Sequence, residues 1–322
     1  MHDESPAADD LPGLAARFQR PAGFAWGEFA AADGRRLRCG RITPEGARIE
    51  CVLVGGFTEF AEKYFETIAD LAARGYAVSF LDWRGQGGSP RPATAPSLPR
   101  ARDFERDADD LVGFASSLPS RGRRLLVAHS MGAAIGLLAL HRHPRLFDAA
   151  VLSAPMLGLS TQGWPRPVAR AFAVLADTLG WGDRLLPGRR PWAPKTDLSP
   201  AKSRTSSDPA RCTLENAWFG ARPALRVDPP TYGWLRAAFA LVVMLRRPEL
   251  LASVRTPVLI GSAGIESFVD PLANRHAAAH LPDCRLVEFP QAKHELFLER
   301  DEIRDAWLAA IDRFVGERLT AL

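Results

Sequence analysis

The chain has 322 residues, 47% hydrophobic and 24% charged, with a formal net charge of +4, which excludes a disordered or fibrous protein and leaves room for one large core. Four cysteines (Cys39, Cys51, Cys212, Cys284) show no C-x-x-C spacing, so metal and redox motifs are excluded and reduced, buried thiols with no cofactor or metal are expected. Met1 to Asp10 is acidic without an apolar run, and no stretch of about 18 uncharged apolar residues occurs, so neither a signal peptide nor a spanning helix is expected and the chain reads as cytoplasmic.

Residues 1 to about 20 read as a frayed lead-in. Leu37 to Ile42 and Ile49 to Val54 are short apolar or alternating runs around Pro44-Glu45-Gly46, a pattern that predicts a hairpin. After Gly55-Gly56-Phe57, Tyr64 to Arg74 has helical periodicity and stops at Gly75. Ala77 to Leu81 predicts a third strand, Phe104 to Leu118 an acidic helix, and Leu125 to Ala128 another strand. A small-residue helix, Ala133 to Leu140, and a strand, Ala149 to Ser153, follow. From residue 158 to about 250 the rhythm breaks into Pro-, Trp- and Arg-rich sequence, with helical patches at Val168 to Leu179 and Trp234 to Leu245. Strands resume at Pro257 to Gly261 and Arg285 to Phe289, before a last helix, Glu302 to Arg318. Alternating strands and helices predict an α/β protein with a mostly parallel sheet covered on both faces. Its core would comprise 1–157 and 251–322, interrupted by a helical cap over 158–250.

Charge is unevenly spread. From Gly158 to Arg255 there are 15 Arg/Lys against 7 Asp/Glu, leaving 26 against 30 elsewhere, and five of the eight tryptophans lie in that segment. Such a mixture suits nucleic acid, anionic lipid or an acidic substrate. The basic residues form no dense run, which counts against nucleic acid, and peripheral membrane contact through this segment stays open.

Chemistry-bearing residues follow the strands. Ala128-His129-Ser130-Met131-Gly132 joins strand to helix and nearly matches G-x-S-x-G, the turn that lifts a serine Oγ above a parallel sheet. Ala128 replaces the first glycine with the least added bulk. A serine needs a base, and the base an orienting group. His294, in Gln291-Ala292-Lys293-His294-Glu295, follows the last strand and is the expected base. The acid should lie between, and Glu266 and Asp270 both follow the strand ending at Gly261. Asp270 before Pro271 suits a helix N-cap, which leaves Glu266 as the preferred acid and Asp270 as the alternative. Backbone N–H groups of Met131 and Phe57 are the oxyanion candidates, with Gly55-Gly56 permitting the turn.

With these residues in place, the chain resembles the α/β-hydrolases, and within them the bacterial lysophospholipase and monoacylglycerol-lipase branch. The resemblance runs from about Cys51 to Phe314. Gly55 to Tyr64 is similar to that branch's His-Gly-x-x-Glu segment, with Glu59 and Tyr64 matching and Gly55 replacing the histidine. Asp82-Trp83-Arg84-Gly85-Gln86-Gly87-Gly88-Ser89 is similar to D-x-R-G-x-G-x-S, Ala128 to Gly132 to GHSMG, and Ala292 to Glu295 to the histidine loop. Acid-x-hydrophobic-x-Asp falls on Glu266 to Asp270, with Glu where most relatives carry Asp. Pro230-Thr231-Tyr232-Gly233-Trp234 leans toward the lysophospholipase cap. The resemblance implies a serine esterase that cleaves single-chain lipid esters through an acyl-enzyme, lysophospholipids first. Monoacylglycerol lipase or general carboxylesterase is the alternative, and a non-catalytic hydrolase-like binding module the alternative of another class. A dehalogenase would need an Asp nucleophile, and an aminopeptidase an acidic patch in the basic cap.

Overall fold

Apolar runs mark the central strands without alternation because both faces of the sheet are covered. In the computed structural model, which describes residues 10–99, 103–119, 122–161 and 163–319, the strands are β1 (Ala25–Ala30), β2 (Arg36–Ile42), β3 (Ile49–Val54), β4 (Tyr76–Leu81), β5 (Arg123–His129), β6 (Ala149–Ser153), β7 (Val258–Ala263) and β8 (Cys284–Phe289). They form one sheet in the order β1-β2-β4-β3-β5-β6-β7-β8. β1 and β2 pair antiparallel, β2 meets β4 antiparallel, and the remaining pairs are parallel. The helices are α1 (Phe65–Ala73), α2 (Glu105–Ser117), α3 (Ser130–Arg142), α4 (Arg166–Ala176), α5 (Leu214–Ala221), α6 (Tyr232–Leu245), α7 (Pro248–Ser253), α8 (Pro271–His280) and α9 (Asp301–Leu319).

Successive strand residues enter opposite layers. Cys51 and Leu53 of β3, Leu125 and Val127 of β5 and Val151 of β6 pack with α1 and α9 residues such as Ile68, Leu71, Trp307 and Phe314. Val52, Val54, Leu126, Ala128 and Leu152 face the other way, onto α2, α3 and α8, among them Leu111, Ile135 and Ala273. α4 to α7 all lie between β6 and β7 in the chain.

Three expectations are corrected. β2 and β3 are no hairpin, because β4 inserts between them and pairs with both. The lead-in and leader expectations over residues 1–9 lie outside the described residues. From Asp10 onward the lead-in is docked rather than frayed: Phe18 is buried against Leu214 and Leu298, and the Gln19 amide donates to the carbonyls of Leu11 and Leu14. β1 carried no sequence signal, since its burial pattern mixes exposed and half-buried positions on an edge strand. Of the thiols, Cys51 is buried, whereas Cys39, Cys212 and Cys284 are half-buried; all four are free. Among the described residues, no helix is long and apolar enough to cross a membrane.

The segment between β6 and β7 is clamped to α1 and to the turn before α9 by Arg211. Its side chain is 1% exposed and donates from Nε and Nη2 to the two oxygens of Glu66 on α1, each at 2.7 Å. Nη1 reaches the Glu299 carbonyl at 2.7 Å. Removing one partner strands the other charge in a dry site, which costs about 3–5 kcal/mol. Arg211→Met is therefore expected to lower unfolding stability by about 3 kcal/mol, read as a reduced urea midpoint; an unchanged midpoint would show that the clamp contributes nothing net.

Candidate active site

The serine sits where strand becomes helix. Ser130 is the first residue of α3 and has φ of 49°, a left-handed backbone that a residue with a Cβ adopts only when its surroundings enforce it. Those surroundings are glycines. A Cβ on Gly132 would come 2.3 Å from the Gly55 carbonyl oxygen, and one on Gly56 would come 3.0 Å from Ser130 Cβ. The loop after β3 and the start of α3 thus meet backbone to backbone. A Cβ on Gly136 would lie 2.8 Å from the Leu126 side chain and 3.9 Å from Ala128 Cβ. Because Gly136 lacks that atom, the helix packs over Ala128, and the departure from glycine at 128 is accommodated.

Ser130, His294 and Glu266 come together. The Glu266 carboxylate, 2% exposed, divides its oxygens between two tasks. Oε1 accepts from the N–H groups of Ser267 and Phe268 at 2.7 and 2.8 Å, and Oε2 meets His294 Nδ1 at 2.7 Å. A carboxylate only accepts, so Nδ1 carries the proton and Nε2 is left to accept from the Ser130 hydroxyl, 2.9 Å away. Burial works against the His294 charge, but the Glu266 carboxylate outweighs it and raises the imidazole above its usual range. Burial likewise opposes the Glu266 charge, and His294 with the two N–H groups holds that carboxyl below its usual range.

Asp270 is elsewhere. Its Oδ1 accepts from Leu272 N–H at 3.1 Å as the N-cap of α8, and Oδ2 pairs with Arg166 at the start of α4. The acid loop is anchored on both sides. Gly264 N–H bonds Phe289 O and Ile265 N–H bonds Ala292 O, each at 2.9 Å, and a Cβ on Gly264 would strike the Pro290 carbonyl at 2.4 Å. Ser160 N–H reaches Phe268 O, and Asp270 N–H reaches Gly158 O, again at 2.9 Å.

Phe57 and Met131 flank the serine from two elements. Met131 lies in the first turn of α3, where an N–H has no carbonyl four residues back inside the helix. Phe57 follows Gly56, and its ring packs on Trp234 of α6 with centroids 4.3 Å apart. Next to Phe57, Thr58 has φ of 67° and its N–H donates to Gln86 Oε1 at 2.5 Å.

Sequence reasoning missed a buried ionic brace behind this loop. Lys63 Nζ, 3% exposed, bonds Glu59 Oε1 at 2.9 Å and Glu295 Oε1 at 2.7 Å. Glu59 Oε2 also accepts from Tyr64 OH at 2.6 Å and from Gly56 N–H. Burial opposes the Glu59 charge, yet Lys63, His129 and these donors take its pKa down to about 2. His129 donates from Nδ1 to the Ser153 carbonyl at 3.1 Å, and burial lowers its pKa to about 4, so it is neutral at pH 7. The available signal was the Glu59, Lys63 spacing with Glu295 beside the histidine. Among the described residues no group of three or more His, Cys, Asp or Glu is placed to hold a metal ion.

The profile of a hydrolase family described as serine aminopeptidase, S33, matches residues 45–301. Lysophospholipase L2 of Escherichia coli is 31% identical over 304 residues, covering 89% of this chain and 86% of that one. Monoacylglycerol lipase of Mycolicibacterium smegmatis is 28% identical over 284 residues, covering 85% and 91%. The crystal structure of a soluble variant of monoglyceride lipase from Saccharomyces cerevisiae superposes with a TM-score of 0.73 at 19% identity, over 95% of this chain and all of that one.

The electrostatics have a direct test. His294 is expected to titrate above the ordinary 6.5. Glu266→Gln removes the neighbouring charge and keeps the burial, so the imidazole is expected to titrate lower. Histidine NMR across pH reads both; a His294 indifferent to the substitution would contradict the pairing.

Proposed function

The chain belongs to the hydrolase family described as serine aminopeptidase, S33, as a serine hydrolase of carboxylic esters, and from that premise we propose that it cleaves single-chain lipid esters through Ser130, His294 and Glu266. The observation that carries the proposal is the continuous hydrogen-bonded file from Ser130 Oγ through His294 to Glu266. His294 Nε2 takes the hydroxyl proton as Oγ attacks the ester carbonyl, and Glu266 orients the ring and stabilises the imidazolium. The N–H groups of Phe57 and Met131 receive the oxyanion. His294 then hands its proton to the departing alcohol, leaving an acyl-enzyme; it next deprotonates the water that attacks the acyl carbonyl and returns that proton to Ser130 Oγ as the acid departs.

Lysophospholipid is the proposed substrate, with monoacylglycerol second. The names of the Escherichia coli and Mycolicibacterium smegmatis relatives support that order, as does the basic, tryptophan-bearing cap, taken as residues 158–250. An aminopeptidase needs acidic groups for the substrate amine, and the net basic segment argues for esters instead. Ser130→Ala is expected to abolish labelling by a fluorophosphonate probe and to cut ester turnover by roughly 10⁴-fold or more. Equal labelling of variant and wild type, or labelling of neither, would overturn the serine mechanism and favour a binding module.

A second part of the proposal concerns the lipid surface. Helix α4 is apolar on its outer side: Ala173 and Ala176 are buried, whereas Val168, Phe172, Val174 and Leu175 are exposed, Leu175 to 56%. Trp164 and Leu179 extend this surface at 59% and 58% exposure, and Arg170 borders it. Soluble helices normally bury the larger side chains. An apolar face edged by arginine suits shallow insertion among anionic head groups. Phe172→Asp with Leu175→Asp is expected to abolish co-sedimentation with phosphatidylglycerol-containing vesicles while hydrolysis of a short water-soluble ester continues. Undiminished vesicle binding by the double variant would refute the contact.

A further inference from the structure

The N–H of Phe57 belongs to the peptide joining Gly56 to Phe57, and among the described residues it donates to no backbone carbonyl. A peptide whose N–H is free is aimed by the peptides on either side of it, because each is a rigid plane that turns at the Cα atoms between them. On the near side the plane is secured twice. Trp83 Nε1 donates to Gly55 O at 2.8 Å, and Gly56 N–H donates to Glu59 Oε2; these are the carbonyl and the N–H of one peptide. On the far side lies the peptide joining Phe57 to Thr58, whose N–H donates to Gln86 Oε1 at 2.5 Å.

That far peptide leads into a strained residue. Thr58 has φ of 67°, in the left-handed region that a β-branched side chain rarely enters and that persists only where neighbours enforce it. The Phe57 ring packs on Trp234 with centroids 4.3 Å apart, which fixes the side chain and leaves the peptide planes to rotate. Glu59 grips the same turn through Gly56 rather than through Thr58. The bond to Gln86 is thus the one that opposes relaxation of Thr58.

Gln86 is itself held firmly. It is 6% exposed and sits in the turn after β4, where its N–H donates to Trp83 O and its carbonyl accepts from Ser89 N–H, each at 3.0 Å. Asp82 braces this turn from within: a Cβ on Gly87, whose φ is 52°, would come 2.3 Å from the Asp82 carboxyl carbon. Asp82 Oδ1 also accepts from Ala61 N–H at 3.1 Å, at the end of the Phe57 loop. Because Thr58 N–H is a donor, the Gln86 atom that faces it is the oxygen. In D-x-R-G-x-G-x-S this glutamine fills an unspecified position, so the motif carried no sign of the contact.

We propose that Gln86 is a positioning residue for the oxyanion: by holding Thr58 left-handed it fixes the far peptide and so aims the Phe57 N–H at the carbonyl oxygen. This rests on the proposed ester chemistry at Ser130 and adds to it the device that keeps one donor in line. A bond to the oxyanion strengthens as charge develops, so loss of aim lowers kcat and leaves KM nearly unchanged.

Gln86→Met keeps the side chain's length and removes the acceptor. On p-nitrophenyl butyrate it is expected to lower kcat by roughly 10- to 100-fold, with KM changed by less than about twofold. A trifluoromethyl ketone with the same acyl chain accepts Ser130 Oγ at its carbonyl carbon, the hydroxyl proton passing to His294 and the carbonyl oxygen becoming the oxyanion. Its inhibition constant should rise in step with the loss in kcat/KM. In a Thr58→Gly background the left-handed conformation carries no steric cost, so there Gln86→Met is expected to cost no more than about threefold. General destabilisation would give the same loss in both backgrounds. Gln86→Asn, one methylene group shorter, is expected to show the same split and keeps the test decisive if Gln86→Met does not fold. An unchanged kcat, a loss confined to KM, or an equal loss with Thr58 and with glycine at 58 would overturn the positioning role while ester hydrolysis stands. Hydrolysis of no ester by wild type would bring down the ester chemistry and the positioning role with it.

Discussion

At Ser130 the chain leaves β5 and enters α3 through a left-handed residue, a conformation that costs on the order of 1–3 kcal/mol and persists only where neighbours over-determine it. The neighbours are the loop of Gly55 and Gly56 on one side and Gly132 on the other: a Cβ on Gly132 would strike the Gly55 carbonyl at 2.3 Å, and one on Gly56 would press on Ser130 Cβ at 3.0 Å. The same contact that holds the serine upright also sets the loop carrying Phe57 against it. The positions of Ser130 and of Phe57 are therefore set by one constraint. Trp83, whose indole N–H donates to Gly55 O at 2.8 Å, fixes that carbonyl from behind.

Around this contact the protein invests buried charge. Lys63 joins Glu59, on the loop after β3, to Glu295, next to His294. Taking three ionised groups out of water is expensive, and a partly satisfied set would be worse than an apolar one. Here hydrogen bonds from Tyr64 and Gly56 complete Glu59, so the brace couples the loop after β3 to the loop that carries the histidine. Gly264 and Ile265 then stitch the acid loop to the histidine loop through backbone bonds. Each of the three side chains is held by a neighbour's anchor as well as its own.

The segment between β6 and β7 is part of this bracing. Lys293 Nζ donates to the carbonyls of Pro200 and Ser203 at 2.6 and 2.7 Å, and Glu295 N–H to Thr205 O at 2.9 Å. Arg204 lies over the Phe268 ring at 4.4 Å, and Phe268 in turn sits 5.1 Å from the His294 ring. The insertion therefore contacts the acid and histidine loops on one side, while Val168, Val174 and Leu175 of α4 are exposed and Phe172, partly exposed, meets the Tyr232 ring of α6 at 5.6 Å.

Much of this was legible in the residues alone. Ser130, His294 and the preference for Glu266 followed from short motifs placed after strands, and the Asp270–Pro271 pair announced its cap, because each is a local pattern with a local cause. The strand and helix runs were legible for the same reason, through periodicity that burial on one or two faces imposes. What stayed hidden is what depends on distant partners. The entry of β4 between β2 and β3 is decided by the sheet, not by the Pro44-Glu45-Gly46 turn. β1 is an edge strand with little to bury and so wrote no pattern. Lys63 stands just before the helical run that begins at Tyr64, and only the fold brings Glu295, far along the chain, to its ammonium. Local chemistry dictates which side chains can react; long-range burial decides which charges meet, and that is set by packing that no short stretch of sequence contains.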